Sequence, residues 1–173
     1  PIGIVATDLG TGDPVLFKEG SIADAVRASC AFPGLFEPIH IGTRVLADGG
    51  LVAPVPTRAA RELGAEVVVG VSVGMHDGQP GPPTNIFQVV SRAVSAAQKQ
   101  QLEGWERHAD LVLRPEVQSL AWDDFHRIDE AIEAGAAAAI SALTQIKKLC
   151  APKTSEVSEF GKQGELLIAS SLQ

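Results

Sequence analysis

The chain has 173 residues, a formal net charge of −7 and an apolar fraction of 45%, which fits one globular domain or a portion of a larger one rather than a disordered polymer. No dense run of Lys and Arg is present, which argues against an electrostatic nucleic-acid binder. No stretch of about 18 apolar residues offers a membrane-spanning helix, and two cysteines, Cys30 and Cys150, make neither a disulfide framework nor a zinc pattern.

The chain begins at Pro1 and enters an apolar stretch at once, through Ile2, Ile4, Val5 and Ala6. A strand this apolar normally pairs with something upstream, so the start reads as a processed or truncated boundary. No charged-then-apolar leader opens the chain. With so few cysteines, a reducing, cytoplasmic compartment is the expectation.

Residues Ile2 to Thr7 read as a strand, Gly10-Thr11-Gly12-Asp13 as a turn, and Val15-Leu16-Phe17 as the returning arm of a hairpin. Ser21 is a good helix N-cap, with Asp24 three residues on, and Ile22, Ala25, Val26 and Ser29 follow at helical spacing. Cys30 to Gly34 ends that helix. Two short strands are predicted at Ile39 to Ile41 and Arg44 to Ala47, turning at Gly42-Thr43, with Asp48-Gly49-Gly50 directly after.

Pro56 or Thr57 opens the next helix, and Gly64 stands where a C′ glycine belongs. Glu66 to Val73 holds the run Val67-Val68-Val69, which predicts a parallel strand buried on both faces. Gly74 to Thr84 is a loop rich in Gly and Pro. From Ile86, the positions Val90, Val94, Ala97, Leu102 and Trp105 share one helix face to about Ala109. Leu111 to Leu113 is a short strand, and Phe125, Ile128, Ile132, Ala136, Ala139, Leu143, Ile146 and Leu149 mark a long amphipathic helix. This alternation predicts an α/β fold, a layered sandwich with a mainly parallel sheet. Residues 1–150 form the folded portion, and residues 151–173 read as a polar tail.

Asp48-Gly49-Gly50 is the candidate site. The two glycines permit positive φ and remove side-chain bulk, so another segment can approach the carboxylate closely. A carboxylate held there can take the proton of a nucleophilic hydroxyl. Alone, the tripeptide reads more often as a plain Asp-Gly turn. Its neighbourhood reverses that balance. A strand ends in Thr7-Asp8, and a helix runs into Ala28-Ser29-Cys30-Ala31-Phe32-Pro33-Gly34-Leu35-Phe36. The aspartate then sits in Leu46-Ala47-Asp48-Gly49-Gly50, Pro54-Val55-Pro56 turns into a helix, and Leu63-Gly64-Ala65-Glu66 leads into the apolar strand.

This succession resembles the patatin-like phospholipase family, especially its small bacterial members, over about residues 2 to 149. Asp110 to Pro115 and the Ala-Gly-rich last helix look like the family's closing elements. The resemblance implies a C-terminal portion of a three-layer α/β/α catalytic domain and a serine–aspartate dyad for hydrolysis of phospholipid or other acyl esters. In it Asp48 would be the base, with Gly49 and Gly50 as its supporting motif. The family's nucleophile elbow, Gly-X-Ser-X-Gly, and its glycine-rich oxyanion loop lie upstream of the matched region, so this chain would need a partner half to supply them and would be inactive alone. The implied partners are that half and the ester substrate, with transient contact at a membrane surface and none with nucleic acid. No metal or organic cofactor is implied. Ala53 stands where the family often has Asn, and Glu66 where it has Asp. The alternative from another class is a truncated, non-catalytic module kept for binding or assembly.

Gly70-Val71-Ser72-Val73-Gly74 also matches Gly-X-Ser-X-Gly, with Asp110 and His126 following in hydrolase order. A nucleophile elbow needs a helix directly behind the turn, and the Gly/Pro-rich stretch after Gly74 opposes one. The remaining candidates read as structural. His40, His76, His108 and His126 lack ligand spacing, and His76-Asp77 reads as a solvated turn. Cys30 reads as packing at an apolar helix end, Asp8 as a cap on local backbone, and Trp105 and Trp122 as core or interface residues.

Overall fold

The computed structural model describes residues 2–74, 81–100, 102–121 and 123–151. Strands β1 (Ile4–Asp8) and β2 (Pro14–Phe17) form the expected hairpin, closed by the Gly12 N–H donating to the Asp8 carbonyl at 2.7 Å. Helix α1 (Ile22–Ser29) starts where Ser21 accepts the Asp24 N–H at 3.3 Å. Strands β3 (Ile39–Ile41) and β4 (Arg44–Asp48) make a second hairpin, and β4 returns beside β1, pairing Ala6 with Asp48. The resulting sheet has the order β2-β1-β4-β3.

Its core is small and close-packed. Ala6, Ala28 and Leu46 are fully buried, with Val15, Phe17, Ile39 and Ile41 packed around them. Alanine at 6 on β1 and at 28 on α1 lets the helix lie close against the sheet, and Leu46 fills the space between. Burying that leucine contributes about 1.5–3 kcal/mol.

Helix α2 (Thr57–Glu62) ends at Gly64, whose φ of +90° is the left-handed cap expected of it. Strand β5 (Val69–Val71) then pairs in parallel with β6 (Leu111–Leu113), across α3 (Ile86–Gln100) and α4 (Leu102–Glu106). One side chain welds this pair to α2. Arg61 donates to the carbonyls of Ala65, Glu66 and His108, and at 2.6 Å to Asp110 Oδ2, which also accepts the Val68 N–H at 2.7 Å.

The chain is an α/β structure with helices between its strands. The expected parallel pairing is found in the smaller sheet and not in the larger, where each pairing is antiparallel. For the two hairpins and for the parallel pair the reason is connection length. Turns of a few residues at Leu9–Asp13 and Gly42-Thr43 can only reverse the chain, whereas β5 and β6 are separated by helices long enough for a crossover. The two-sided burial expected of β5 is also not what the structure has. Val68 and Gly70 are buried, but Val69 and Val71 are 37% and 51% exposed. The last predicted helix is divided, with a 3₁₀ turn at Phe125–Arg127, then α5 (Ile128–Ser141) and α6 (Leu143–Cys150) meeting at Ala142. Residues 152–173, His76-Asp77 and Trp122 lie outside the described residues. Among those described, no helix is long and apolar enough to cross a membrane.

Candidate functional site

Asp48 is the last residue of β4 and the N-cap of a 3₁₀ turn, Gly49–Leu51. Its backbone is fixed on both sides. The Asp48 N–H donates to the Ala31 carbonyl beyond α1 at 3.0 Å, and the Asp48 carbonyl accepts the Thr7 hydroxyl at 2.7 Å. Thr7, in the sequence pair Thr7-Asp8, is therefore a buried strut under the site. Asp8 does what its position suggested: Oδ1 accepts the Gly10 N–H at 2.9 Å, and Oδ2 lies 3.7 Å from Arg44.

The half-buried Asp48 carboxylate accepts the Gly50 N–H at 2.7 Å through Oδ1. Among the described residues nothing donates to Oδ2. Burial raises the proton affinity of this carboxyl above the ordinary value of 3.8, and the Gly50 N–H, which favours the charged form, partly opposes it. Asp48, Gly49 and Gly50 line a depression of about 450 Å³ that Val26, Ser29 and Cys30 at the end of α1 also line. Cys30, the C-cap of α1, is exposed, not packed as its apolar surroundings suggested.

The glycines serve the site by space alone. Neither has positive φ, which corrects the expectation of a left-handed turn. A Cβ at Gly49 would stand 2.1 Å from the Val5 carbonyl oxygen of β1, and one at Gly50 would stand 2.9 Å from Asp48 Oδ1. The first glycine lets the turn lie on β1, and the second lets the carboxylate fold back over its own turn.

Sequence reasoning missed one neighbour. Gln98 of α3 donates through Nε2 to the Gly50 carbonyl at 2.6 Å. No motif marks it, since it lies 48 residues away on a helix whose spacing reports only its apolar face.

Ser72 follows β5 and donates its backbone N–H to the Leu113 carbonyl at 2.9 Å. Together with Gly50 and Gln98 it lines a second depression of about 340 Å³, which Asp48 does not line. Among the described residues no helix begins between Ser72 and Ile86. The other members of that alternative series are engaged elsewhere or apart: Asp110 holds Arg61 and Val68, and His126 is exposed in the 3₁₀ turn before α5. Trp105 is 7% exposed and belongs to the packing against Gly70. Among the described residues no group of three or more His, Cys, Asp and Glu gathers as metal ligands do.

Comparison with known proteins adds the following. The family model for patatin-like phospholipase matches residues 4–61, the segment from β1 to α2 that contains Asp48. An uncharacterized NTE family protein of Mycobacterium tuberculosis is 28% identical over 163 residues, covering 80% of this chain and 28% of that protein. A second NTE family protein of the same species is 38% identical over 80 residues, covering 46% of this chain and 22% of that protein. The mouse patatin-like phospholipase domain-containing protein 7 is 32% identical over 79 residues, covering 44% of this chain and 6% of that protein. The chain thus spans less than a third of the length of each of these relatives.

Proposed function

We propose that Asp48 is the general base of a serine hydrolase acting on phospholipid or other acyl esters, because the segment that holds it, residues 4–61, matches the patatin-like phospholipase family model. In this reading the nucleophilic serine and the oxyanion donors come from sequence outside residues 1–173, and the chain alone is inactive. The observation that carries the reading is the state of the carboxylate. One oxygen is fixed by the Gly50 N–H, the other has no donor among the described residues, and partial burial makes the group more basic than a solvated aspartate. A base must both take and return a proton, and a carboxylate of ordinary acidity takes one poorly at neutral pH.

The chemistry proceeds in two halves. The serine oxygen bonds to the ester carbonyl carbon while Asp48 takes the hydroxyl proton, and the carbonyl becomes an oxyanion held by backbone N–H groups. Collapse breaks the ester C–O bond, and the alcohol leaves with the proton that Asp48 returns. Water then attacks the acyl-serine as Asp48 again accepts a proton. Breakdown of the second intermediate releases the carboxylic acid and restores the serine hydroxyl. The scheme uses no metal or organic cofactor. A phospholipid substrate would bring the protein into transient contact with a lipid surface.

A fluorophosphonate probe tests the division of labour. The complete protein should be labelled on a serine outside residues 1–173, and residues 1–173 alone should stay unlabelled. Stoichiometric labelling of Ser72 in either protein would overturn the reading.

A further inference from the structure

The contacts at the Asp48 turn continue beyond the carboxylate. The Gly50 N–H holds Asp48 Oδ1 at 2.7 Å, and the Gly50 carbonyl is held in turn by Gln98 Nε2 at 2.6 Å. We infer that Gln98 is a positioning residue for the base: its side-chain amide, reaching from α3, fixes the Gly50 backbone that orients the Asp48 carboxylate. The inference rests on the reading of Asp48 as base.

The turn by itself is weakly constrained. It has three residues, two of them glycines, and its own closure is the Gly49 carbonyl accepting from Val52 at 3.3 Å and from Ala53 at 2.9 Å. Neither bond touches the Gly50 carbonyl. Glycine has the widest choice of φ and ψ, so without an external tie Gly50 can rotate and carry its N–H off the carboxylate. Gln98 is that tie. It is half-buried, and its amide lies 3.7 Å from the point where a Gly50 Cβ would stand, the same point that Asp48 Oδ1 approaches to 2.9 Å. The side chain and the carboxylate therefore flank one empty position, which any residue larger than glycine would fill. Three other charged or titratable groups border this region among the described residues. Lys99 on α3 and Arg114 after β6 line the depression that Gly50 and Gln98 share, and the Cys30 thiol beyond α1 lines the one that holds Asp48. None of them figures among the causes of the Asp48 shift, which are burial and the Gly50 N–H. Release of that N–H would raise the proton affinity of Asp48 further.

The test uses the complete enzyme, a short-chain p-nitrophenyl ester, and the variants Gln98→Leu, which has no donor, and Gln98→Lys, which has one. Gln98→Leu should lower kcat by about tenfold to a hundredfold, the scale of a misplaced catalytic group. It should also move the acid limb of the kcat profile to higher pH. Gln98→Lys should recover most of kcat and keep the acid limb at or below the wild-type position. The inference is overturned if Gln98→Leu stays within about twofold of wild type, the loss being then too small for misplacement. It is equally overturned if activity falls with no shift of the limb, or if Gln98→Lys is no better than Gln98→Leu. Should the leucine variant fail to fold, Gln98→Glu, equal in length and lacking a donor at neutral pH, makes the same comparison against Gln98→Lys. Asp48→Asn, run alongside, separates the two claims. An active Asp48→Asn enzyme refutes the base itself, whereas an inactive one with a normal Gln98→Leu refutes only the role of Gln98.

Discussion

Gly49→Ala should separate stability from chemistry at this site. The added Cβ would stand 2.1 Å from the Val5 carbonyl oxygen and 2.8 Å from the Val5 carbonyl carbon, whereas a carbon and an oxygen in favourable contact are about 3.3–3.6 Å apart. The turn or the strand must therefore move by about 1 Å to restore such a contact. Neither moves easily, because β1 is paired on both edges, with β2 and β4, and Asp48 is bonded to Ala31 and Thr7. Overpacking against a partner that can yield costs about 1–3 kcal/mol, and against backbone the upper figure applies. At about 2–4 °C per kcal/mol for a chain of this size, the melting temperature should fall by about 6–12 °C. Gly50→Ala is the control. Its Cβ meets the end of the Asp48 side chain at 2.9 Å, and rotating that carboxylate away costs only about 1 kcal/mol. Gly50→Ala should thus melt near wild type yet lose turnover, since the base is displaced. Thermal unfolding by circular dichroism and an ester-hydrolysis rate on both proteins make the comparison. A Gly49→Ala protein melting within about 2 °C of wild type, a difference below 1 kcal/mol, would refute the steric account.

Two further outcomes follow from the same geometry. Ser72→Ala in the complete enzyme should leave turnover nearly unchanged, and a loss of about a thousandfold or more, the scale of a removed nucleophile, would show that the wrong serine was set aside. Asp48→Asn should melt no lower than wild type near pH 7.5. Burial raises the native carboxyl's proton affinity above the ordinary 3.8, so the ionised aspartate destabilises the fold above the raised native value and has no such effect below 3.8. The difference between the two proteins should shrink as pH falls through that window, and a gap that widened instead would contradict the sign.

Much of this molecule was legible in its sequence where the signal is local. Ser21 and Asp24 announce the start of α1, Gly64 marks the end of α2, and the Gly42-Thr43 turn sets the β3–β4 hairpin. Asp48 stood out for the same reason, since a strand end followed by two glycines is a short-range pattern. What the sequence hid depends on distance. The antiparallel return of β4 beside β1 joins residues about 40 apart, and nothing in either strand encodes its partner. Val67-Val68-Val69 suggests two-sided burial because three apolar residues in a row carry no alternation, yet β5 presents Val69 and Val71 outward. The glycine motif suggested positive φ, when the requirement comes from Val5, over 40 residues earlier. Gln98 and Arg61 are polar side chains on helices, and only the fold shows that each reaches across it to hold backbone.

The most direct test of the central claim is the turnover of Asp48→Asn in the complete enzyme. Asparagine is nearly isosteric and can still accept the Gly50 N–H, but it cannot take a proton from a serine hydroxyl at neutral pH. The rate on a p-nitrophenyl ester should fall by about a thousandfold, within the range that general-base catalysis contributes, while the melting curve shows a folded protein. A folded Asp48→Asn enzyme that kept most of the wild-type rate would contradict the assignment of Asp48 as the base.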